Sequence, residues 1–494
     1  MIFPLDQSAS KDPLVIGAKA VGLIEMMECG LPVPSGFCLP TNYKFDPESD
    51  RSLVNSVVRV LADITQTRWG GISKAITPLL VSVRSGAPVS MPGMMDTILN
   101  VGLTRDSIQT LNETYNAPPA FGFDCYRRLI SMYGTSVSHI DKRVFAEYYD
   151  AARDFFIDVS VSERAVRVLV EKYEMLYERE TGHSFPSAPT TQLVNAIAAV
   201  FDSWNSPTAE SYRILNDISY QLGTAVIVQQ MKFGNVGENS ATGVVFTHNP
   251  NTGAKGWFGE YVVCGQGEDV VSGTHLTESI DEITRNSQLA VAGKVLKSSL
   301  SKLYNRQNEI LDVEFTIENG QLCILQYRVA KCSRKANVRF ALDQAREGSI
   351  TSEEATARIL SLMPQTEMMV GDGEMESVGF GVPIGGSIVC APIAIGQEVA
   401  DQYIRDGLDY IFVAPDTSPS DHVQMSSAVG ILTAQGGTLS HAAVIARSWD
   451  KTCIVGFEDM KVFDGHIIID QIRLHSDDKI QINGITGEVH VPTP

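Results

Sequence analysis

ILTAQGGTLSHAAVIARSWDKTCIVG, residues 431–456, is the stretch whose reading decides the fold. Residues 431–434 read as a short strand, Gly436 and Gly437 as a tight turn, residues 440–448 as a helix and 453–455 as a second strand. Paired glycines let a backbone approach a ligand closely, and Thr438 or Ser440 can cap a helix start. His441 therefore falls in the first turn of a helix, where unpaired N–H groups and the positive dipole end favour a phosphate. A neutral imidazole in that place can attack phosphorus and have the new anionic group stabilised at once. Taken alone, a histidine beside a glycine turn is more often a capping or packing residue. The neighbouring segments decide between the two readings.

Size and charge narrow the field. A chain of 494 residues has room for two or three domains, and 44% hydrophobic with 20% charged residues is the balance of a globular protein. A formal net charge of -19 excludes nucleic acid and an anionic membrane surface as partners on electrostatic grounds. A phosphorylated small molecule stays open, because a local basic pocket outweighs distant charge. The eight cysteines are scattered with no C-x-x-C pair, so neither a zinc site nor a disulfide framework is expected. The opening MIFPLDQSASKD has no basic region leading into an apolar one, and the expected setting is the cytoplasm.

Further residues suited to phosphate lie upstream. GAKAVGL, residues 17–23, places Lys19 between small residues at a helix start. LLVSVRSGA, residues 79–87, reads as a strand delivering Arg84 to its end, where a guanidinium can grip phosphate in fork geometry. The Gly/Pro/Met loop SMPGMMDT, residues 90–97, follows; an apolar, flexible loop of this kind can cover a purine. Residues 104–220 are helical in pattern and read as scaffold; of the adjacent Arg127 and Arg128, at most one is expected to reach a site. Strand character returns at 225–232, followed by a glycine-rich turn and Thr242-Gly243, a pattern that can fold over a polyphosphate. Alternation puts Asp312, Glu314 and Thr316 on one face of a strand, and Gln326 and Arg328 on one face of the next. Two carboxylates, an amide and an arginine so placed suit a divalent ion on a triphosphate, whereas solvent-facing alternation explains either strand alone.

In this order and spacing, GAKAVGL, VSVRSGAPVSMPGMMDT, YRRLISMYG, ATGVVFTHNPNTG, GQGEDVVSGT and LDVEFTIENGQLCILQYR resemble the ATP-grasp domain of the pyruvate phosphate dikinase family. Gly-Gly-x-x-Ser-His-Ala-Ala-Val-x-Ala-Arg resembles the phosphohistidine signature of the same dikinases. The resemblance implies a mixed α/β chain: an ATP-grasp nucleotide-binding domain over 1–335 with a helical insert at about 104–220, a hinge linker over 336–380, and a swivelling βαβ phosphohistidine domain over 381–494. It implies that His441 is phosphorylated, that Lys19 and Arg84 contact phosphates, and that Gly93 and Met95 line the nucleotide pocket. Thr242 and Gly243 would form a phosphate-covering hairpin, Glu314 with Asp312 would hold Mg²⁺, and Gln326 and Arg328 would complete the triphosphate site. Three positions depart from the family pattern. Ala241 replaces a glycine, His248 replaces an arginine, and Leu439 replaces a threonine whose hydroxyl is therefore absent. The first two put nucleotide affinity in question.

The expected activity is that of a swivelling phosphotransferase. His441, Arg84 and Arg328 would be catalytic, ATP would become AMP, and phosphate or water would take the terminal phosphoryl group. The family's (β/α)8 barrel for phosphoenolpyruvate or pyruvate has no counterpart in these 494 residues. The acceptor is therefore expected to be a small molecule, or to be bound by a separate protein such as the barrel subunit of a split dikinase; a homodimer is a further expectation. Two other classes compete. An ATP-grasp ligase would yield ADP and leave His441 idle, and a silent nucleotide-binding regulator would need none of the catalytic set.

Overall fold

The computed structural model describes residues 2–6, 10–69, 76–91, 93–153, 159–271, 277–362 and 375–492. Two five-stranded antiparallel sheets build the N-terminal part. The first runs Phe3–Pro4, Gly36–Leu39, Ala225–Gln230, Val81–Gly86, Thr97–Val101. Its central strand, Ala225–Gln230, is buried on both faces: Val226 and Val228 join the apolar cluster of the helical insert, while Ala225 and Ile227 join the cluster under the helix Pro13–Glu28. Period-two alternation thus serves two cores at once. Full burial of each such valine or isoleucine contributes about 1.5–3 kcal/mol.

Between Thr97–Val101 and Ala225–Gln230 the chain forms the expected helical insert, including Ala120–Ser138, Val159–Thr181 and Pro189–Asp202. The second sheet runs Gln321–Val329, Leu311–Glu318, Ala241–His248, Lys255–Val263, Glu278–Ser279. Helix Pro13–Glu28 bears on both sheets and is kinked at Gly17, whose φ of +78° no side chain favours. A Cβ at Gly17 would stand 1.7 Å from the carbonyl oxygen of Gly86. This close approach seats the helix against the end of the Arg84 strand, with Lys19 in reach of it.

Two helices follow, Arg334–Arg346 and Ser352–Ser361. The second opens on a capping box: Glu354 N donates to Thr351 Oγ1 (3.1 Å) and Thr351 N to Glu354 Oε2 (2.8 Å). Of the expected hinge, residues 363–374 lie outside the described residues. Met375–Phe380, placed in the hinge by sequence, instead pairs with Glu488–Pro492 and forms the edge of the C-terminal sheet.

That sheet has eight strands. At its centre Ile388–Ile395, Ile411–Ala414, Gly430–Thr433 and Thr452–Val455 are parallel, with antiparallel strands on either side. The three strands from Ile411 onward are buried at every residue, as parallel strands covered on both faces must be. The helices Gly396–Asp406, His422–Ser427 and His441–Trp449 make the three crossovers, so the βαβ expectation holds for the centre and the antiparallel rim goes beyond it. A three-stranded sheet, Met460–Phe463, His466–Ile469 and Ile472–His475, packs as an appendage.

Candidate active site

Between the two N-terminal sheets lies a cavity of about 880 Å³, a volume suited to a nucleotide. Lys19, Arg84, Gly93, Met95, Thr242, Gly243, Glu314, Gln326 and Arg328 all line it. Arg84, 9% exposed on its strand, donates from Nη1 to the carbonyl of Leu325 (3.1 Å) and from Nη2 to Glu314 Oε2 (3.2 Å) and Gln326 Oε1 (3.3 Å). Arg328 Nε donates to Asp312 Oδ2 at 2.7 Å, and its Nη2 stands 3.9 Å from Glu314 Oε1. A bulge between Ile324 and Gln326 sets this register, with Gln326 opposite Glu314 and Arg328 opposite Asp312. The two strands read from alternation are therefore neighbours, and their polar residues meet.

The charges are mutually tuned. Burial first, then the neighbouring Arg84, pushes the Lys19 ammonium down to about 7, although its side chain keeps an opening to the cavity. Burial opposes ionisation of Glu314, but Arg84, Arg328 and Lys19 outweigh it and hold the carboxyl below its usual range. Asp312 goes the other way: burial raises it in spite of Arg328. Arg328 is held fully charged, by Asp312 first and Glu314 after it. Glu314 faces the cavity, whereas Asp312 lines a smaller one beside it, and Arg328 touches both. Among the described residues no group of three or more histidine, cysteine, aspartate or glutamate side chains could cage a metal. Mg²⁺ is commonly held by one or two carboxylates together with substrate phosphates, and Glu314 fits that pattern; the expected second ligand, Asp312, does not, because it faces the neighbouring small cavity and is bound by Arg328.

His441 opens its helix at the first position. Ser440 caps it, its Oγ accepting from Ala443 N at 3.4 Å. Gly93, at φ +73°, lies against the imidazole: a Cβ there would be 3.7 Å from His441 Nδ1. Gly93 thus separates the histidine from the nucleotide cavity by the thickness of one backbone. His441 Nε2 is buried with no hydrogen-bond partner. Burial lowers the ring to about 4, with Asp421 opposing, so the imidazole is neutral at neutral pH.

The histidine domain is seated on the nucleotide-binding part by several contacts that the sequence did not announce. Leu439 is 5% exposed and is the one C-terminal member of an apolar cluster with Phe246, Val262, Val270 and Phe340. Met91 and Met94 share a cluster with Ala442 and Ala443, so both serve the domain contact, and Met91 lines the cavity as well. Arg447 donates to Asn251 (3.2 Å), Arg334 pairs with Asp450, and the ring of His422 packs 4.9 Å from Tyr212. The one available hint was that Arg447 closes the histidine signature.

Other expectations are corrected. Thr242 and Gly243 lie within the strand Ala241–His248 and line the cavity from its floor; the turn comes before them. Thr242 Oγ1 is held by the Phe315 carbonyl (3.1 Å), which fixes it in the sheet. Neither Arg127 nor Arg128 lines the cavity; both bind Asp124, and Arg128 also forks onto Asp269 at 3.0 Å. His248 is buried between Tyr304 and Phe340, with ring centroids at 5.2 and 5.1 Å, away from the cavity wall.

The family model described as pyruvate phosphate dikinase, AMP/ATP-binding domain, matches residues 46–309, and that of the PEP-utilising enzyme mobile domain matches residues 408–487. Among similar proteins, the chloroplastic pyruvate, phosphate dikinase 1 of Oryza sativa subsp. japonica is 37% identical over 497 residues, covering 97% of this chain and 52% of the relative. Pyruvate, phosphate dikinase of Rhizobium meliloti (strain 1021) is 37% identical over 515 residues, 98% of this chain and 56% of its own length. That of Giardia intestinalis is 37% identical over 492 residues, at 96% and 55%. The chain spans about half the length of the relatives it matches.

Proposed function

The chain belongs to the pyruvate phosphate dikinase family, and from that premise we propose that it is an ATP-dependent phosphotransferase that phosphorylates its own His441. The observation that carries this reading is the neutral imidazole of His441, its Nε2 buried without a partner and its Nδ1 side against Gly93, which lines the nucleotide cavity. A ligase would have no use for it.

The Nε2 lone pair requires the tautomer with its proton on Nδ1. It forms a bond to the β-phosphorus of ATP as the bond from that phosphorus to the α,β-bridging oxygen breaks, and AMP leaves with the oxygen. The terminal phosphoryl group of the pyrophosphorylated histidine then passes to phosphate or water, leaving phospho-His441. Lys19, Arg84 and Arg328 line the cavity as fixed donors for the charge that develops on the phosphoryl oxygens. Gln326 orients Arg84, and Gly93 and Met95 shape the wall nearest the histidine. Mg²⁺, which Glu314 would hold, would supply Lewis-acid neutralisation of phosphate charge when bound.

The phosphoryl group would leave His441 for an acceptor after the histidine domain swings away from the nucleotide-binding part. Pyruvate on a barrel, giving phosphoenolpyruvate, is one such acceptor; a small molecule on a separate acceptor-binding protein is the other. We place the reaction in the cytoplasm, in keeping with eight free cysteines. Incubation with Mg·ATP should release AMP and leave acid-labile, base-stable label from β-labelled ATP on His441. His441→Ala should lose the label and keep ATP binding, since the cavity is built without it. ADP as the sole product refutes the reading.

A further inference from the structure

A second, smaller cavity of about 20 Å³, the size of one water, lies where the histidine helix meets the nucleotide-binding part. Ser90, Asp312, Arg328 and Lys331 line it from one side, and Val444 and Arg447 from the other. Arg447, in the last turn of the helix His441–Trp449, is 5% exposed. Asn251 is the one hydrogen-bond partner of its guanidinium among the described residues, and its Nε is buried with no partner. Facing the same space, Asp312 Oδ1 is also buried and unpartnered, its Oδ2 being taken by Arg328. Leaving a buried guanidinium nitrogen unsatisfied is costly, so such a group is kept where it answers to something.

We propose that Arg447 is a positioning residue that senses the charge of the nucleotide site across the domain interface and holds His441 docked while that site carries its polyphosphate. Around the small cavity three cations, Arg328, Lys331 and Arg447, face one carboxylate, Asp312. Docking therefore adds a positive charge to a spot that is already positive. A nucleoside triphosphate in the large cavity, which Arg328 and Lys331 also line, reverses the balance and draws Arg447 in. Once phosphoryl groups have moved to His441 and AMP has left, the attraction falls and the loaded helix is free to depart. The coupling follows from differential affinity: the nucleotide favours the docked state by as much as the docked state favours the nucleotide.

This inference rests on the proposed function for its purpose, and its test does not depend on the chemistry. Hydrogen–deuterium exchange of the peptide covering residues 441–449 is followed in the full chain, with and without a non-hydrolysable ATP analogue and Mg²⁺. Wild type and Arg447→Lys, which keeps the charge, should gain roughly tenfold or more protection on adding the analogue. Arg447→Gln should gain little, should bind the analogue more weakly by no more than the protection it loses, as reciprocity requires, with an unchanged melting temperature, and should label His441 at least tenfold more slowly in a single turnover. If Arg447→Gln does not fold, Arg447→Met, which keeps the packed stem, replaces it. An equal gain in the neutral variant and wild type overturns the proposal, as does Arg447→Lys behaving like the neutral variant. If wild type shows the gain and never labels His441, the proposed function fails and the coupling stands.

Discussion

Acid should spare the phosphorylation step, and by an amount that can be worked from the burial of His441. Desolvation against the Gly93 wall and the helix packing lowers the imidazole to about 4 from an ordinary value near 6.5, Asp421 opposing in part. The nucleophile is the neutral ring, so the rate constant for labelling follows the neutral fraction. At pH 5 an unperturbed histidine is about 3% neutral and one near 4 is about 90% neutral, a difference of roughly thirtyfold. The assay is kcat/KM for label transfer from β-labelled ATP to His441 between pH 4.5 and about 8, since this quantity reports the free enzyme. Binding of ATP by His441→Ala over the same range removes the contribution of ionisations on the nucleotide. Corrected in this way, the rate should be flat down to about pH 5. A fall of tenfold per unit beginning near 6.5 would falsify the burial argument, because the histidine would then be solvated before it reacts. The same lowering carries a stability consequence of fixed sign. The undocked or unfolded ring takes its proton near 6.5 and the docked ring near 4, so stabilisation is complete above the first value and lost as pH falls through the second. His422, lowered to about 4 by burial and by His441, adds to it in the same direction.

Leu439→Ala should weaken docking without unfolding either part, because all of its cluster partners come from residues 244–340. A loss of about 2 kcal/mol, the low end for a buried leucine, predicts slower labelling of His441 by roughly thirtyfold. A wild-type labelling rate would show that Leu439 is not an anchor. Arg328→Lys should cost labelling severely, since a point charge cannot both fork toward phosphate and hold Asp312; the check is a single-turnover rate at saturating ATP. Glu314→Gln should raise the Mg²⁺ concentration needed for half-maximal labelling and also free Arg84, so its effect is read from a metal titration. If both variants label at the wild-type rate, the triphosphate does not lie where these residues meet.

Local pattern carried much of the site. The glycine turn, cap and helix around His441 came out within a residue of their observed bounds, because each is set by neighbours in the chain: Ser440 as cap, Asp450 in the left-handed region as stop. Strand alternation put Asp312 and Glu314 on one face and Gln326 and Arg328 on one face of the next strand, and the observed register sets Gln326 against Glu314 and Arg328 against Asp312. The alternation could not show the bulge after Ile324, nor that Asp312 faces a different space from Glu314, since both depend on what the sheet packs against. The strand Met375–Phe380 was missed for a similar reason. Its partner lies more than a hundred residues on, at Glu488–Pro492, and its own sequence is half polar and lies at a sheet edge.

The departures from the family pattern make the same point from the other side. Read as letters, Ala241 and His248 suggested a weakened nucleotide site, and Leu439 a lost hydroxyl. In the structure none of them lines the large cavity. Ala241 is buried in the apolar cluster beneath the helix Pro13–Glu28. His248 sits in an aromatic surround that lowers it to about 4, so it presents a neutral ring where an arginine would have brought a charge. Leu439 fills the same apolar cluster that Phe340 closes, and a hydroxyl there would be buried without an evident partner. Two of the three changes thus fall on one continuous patch, the one against which the histidine domain rests. It is in docking, measured by exchange or scattering, that the Leu439 change should be felt first.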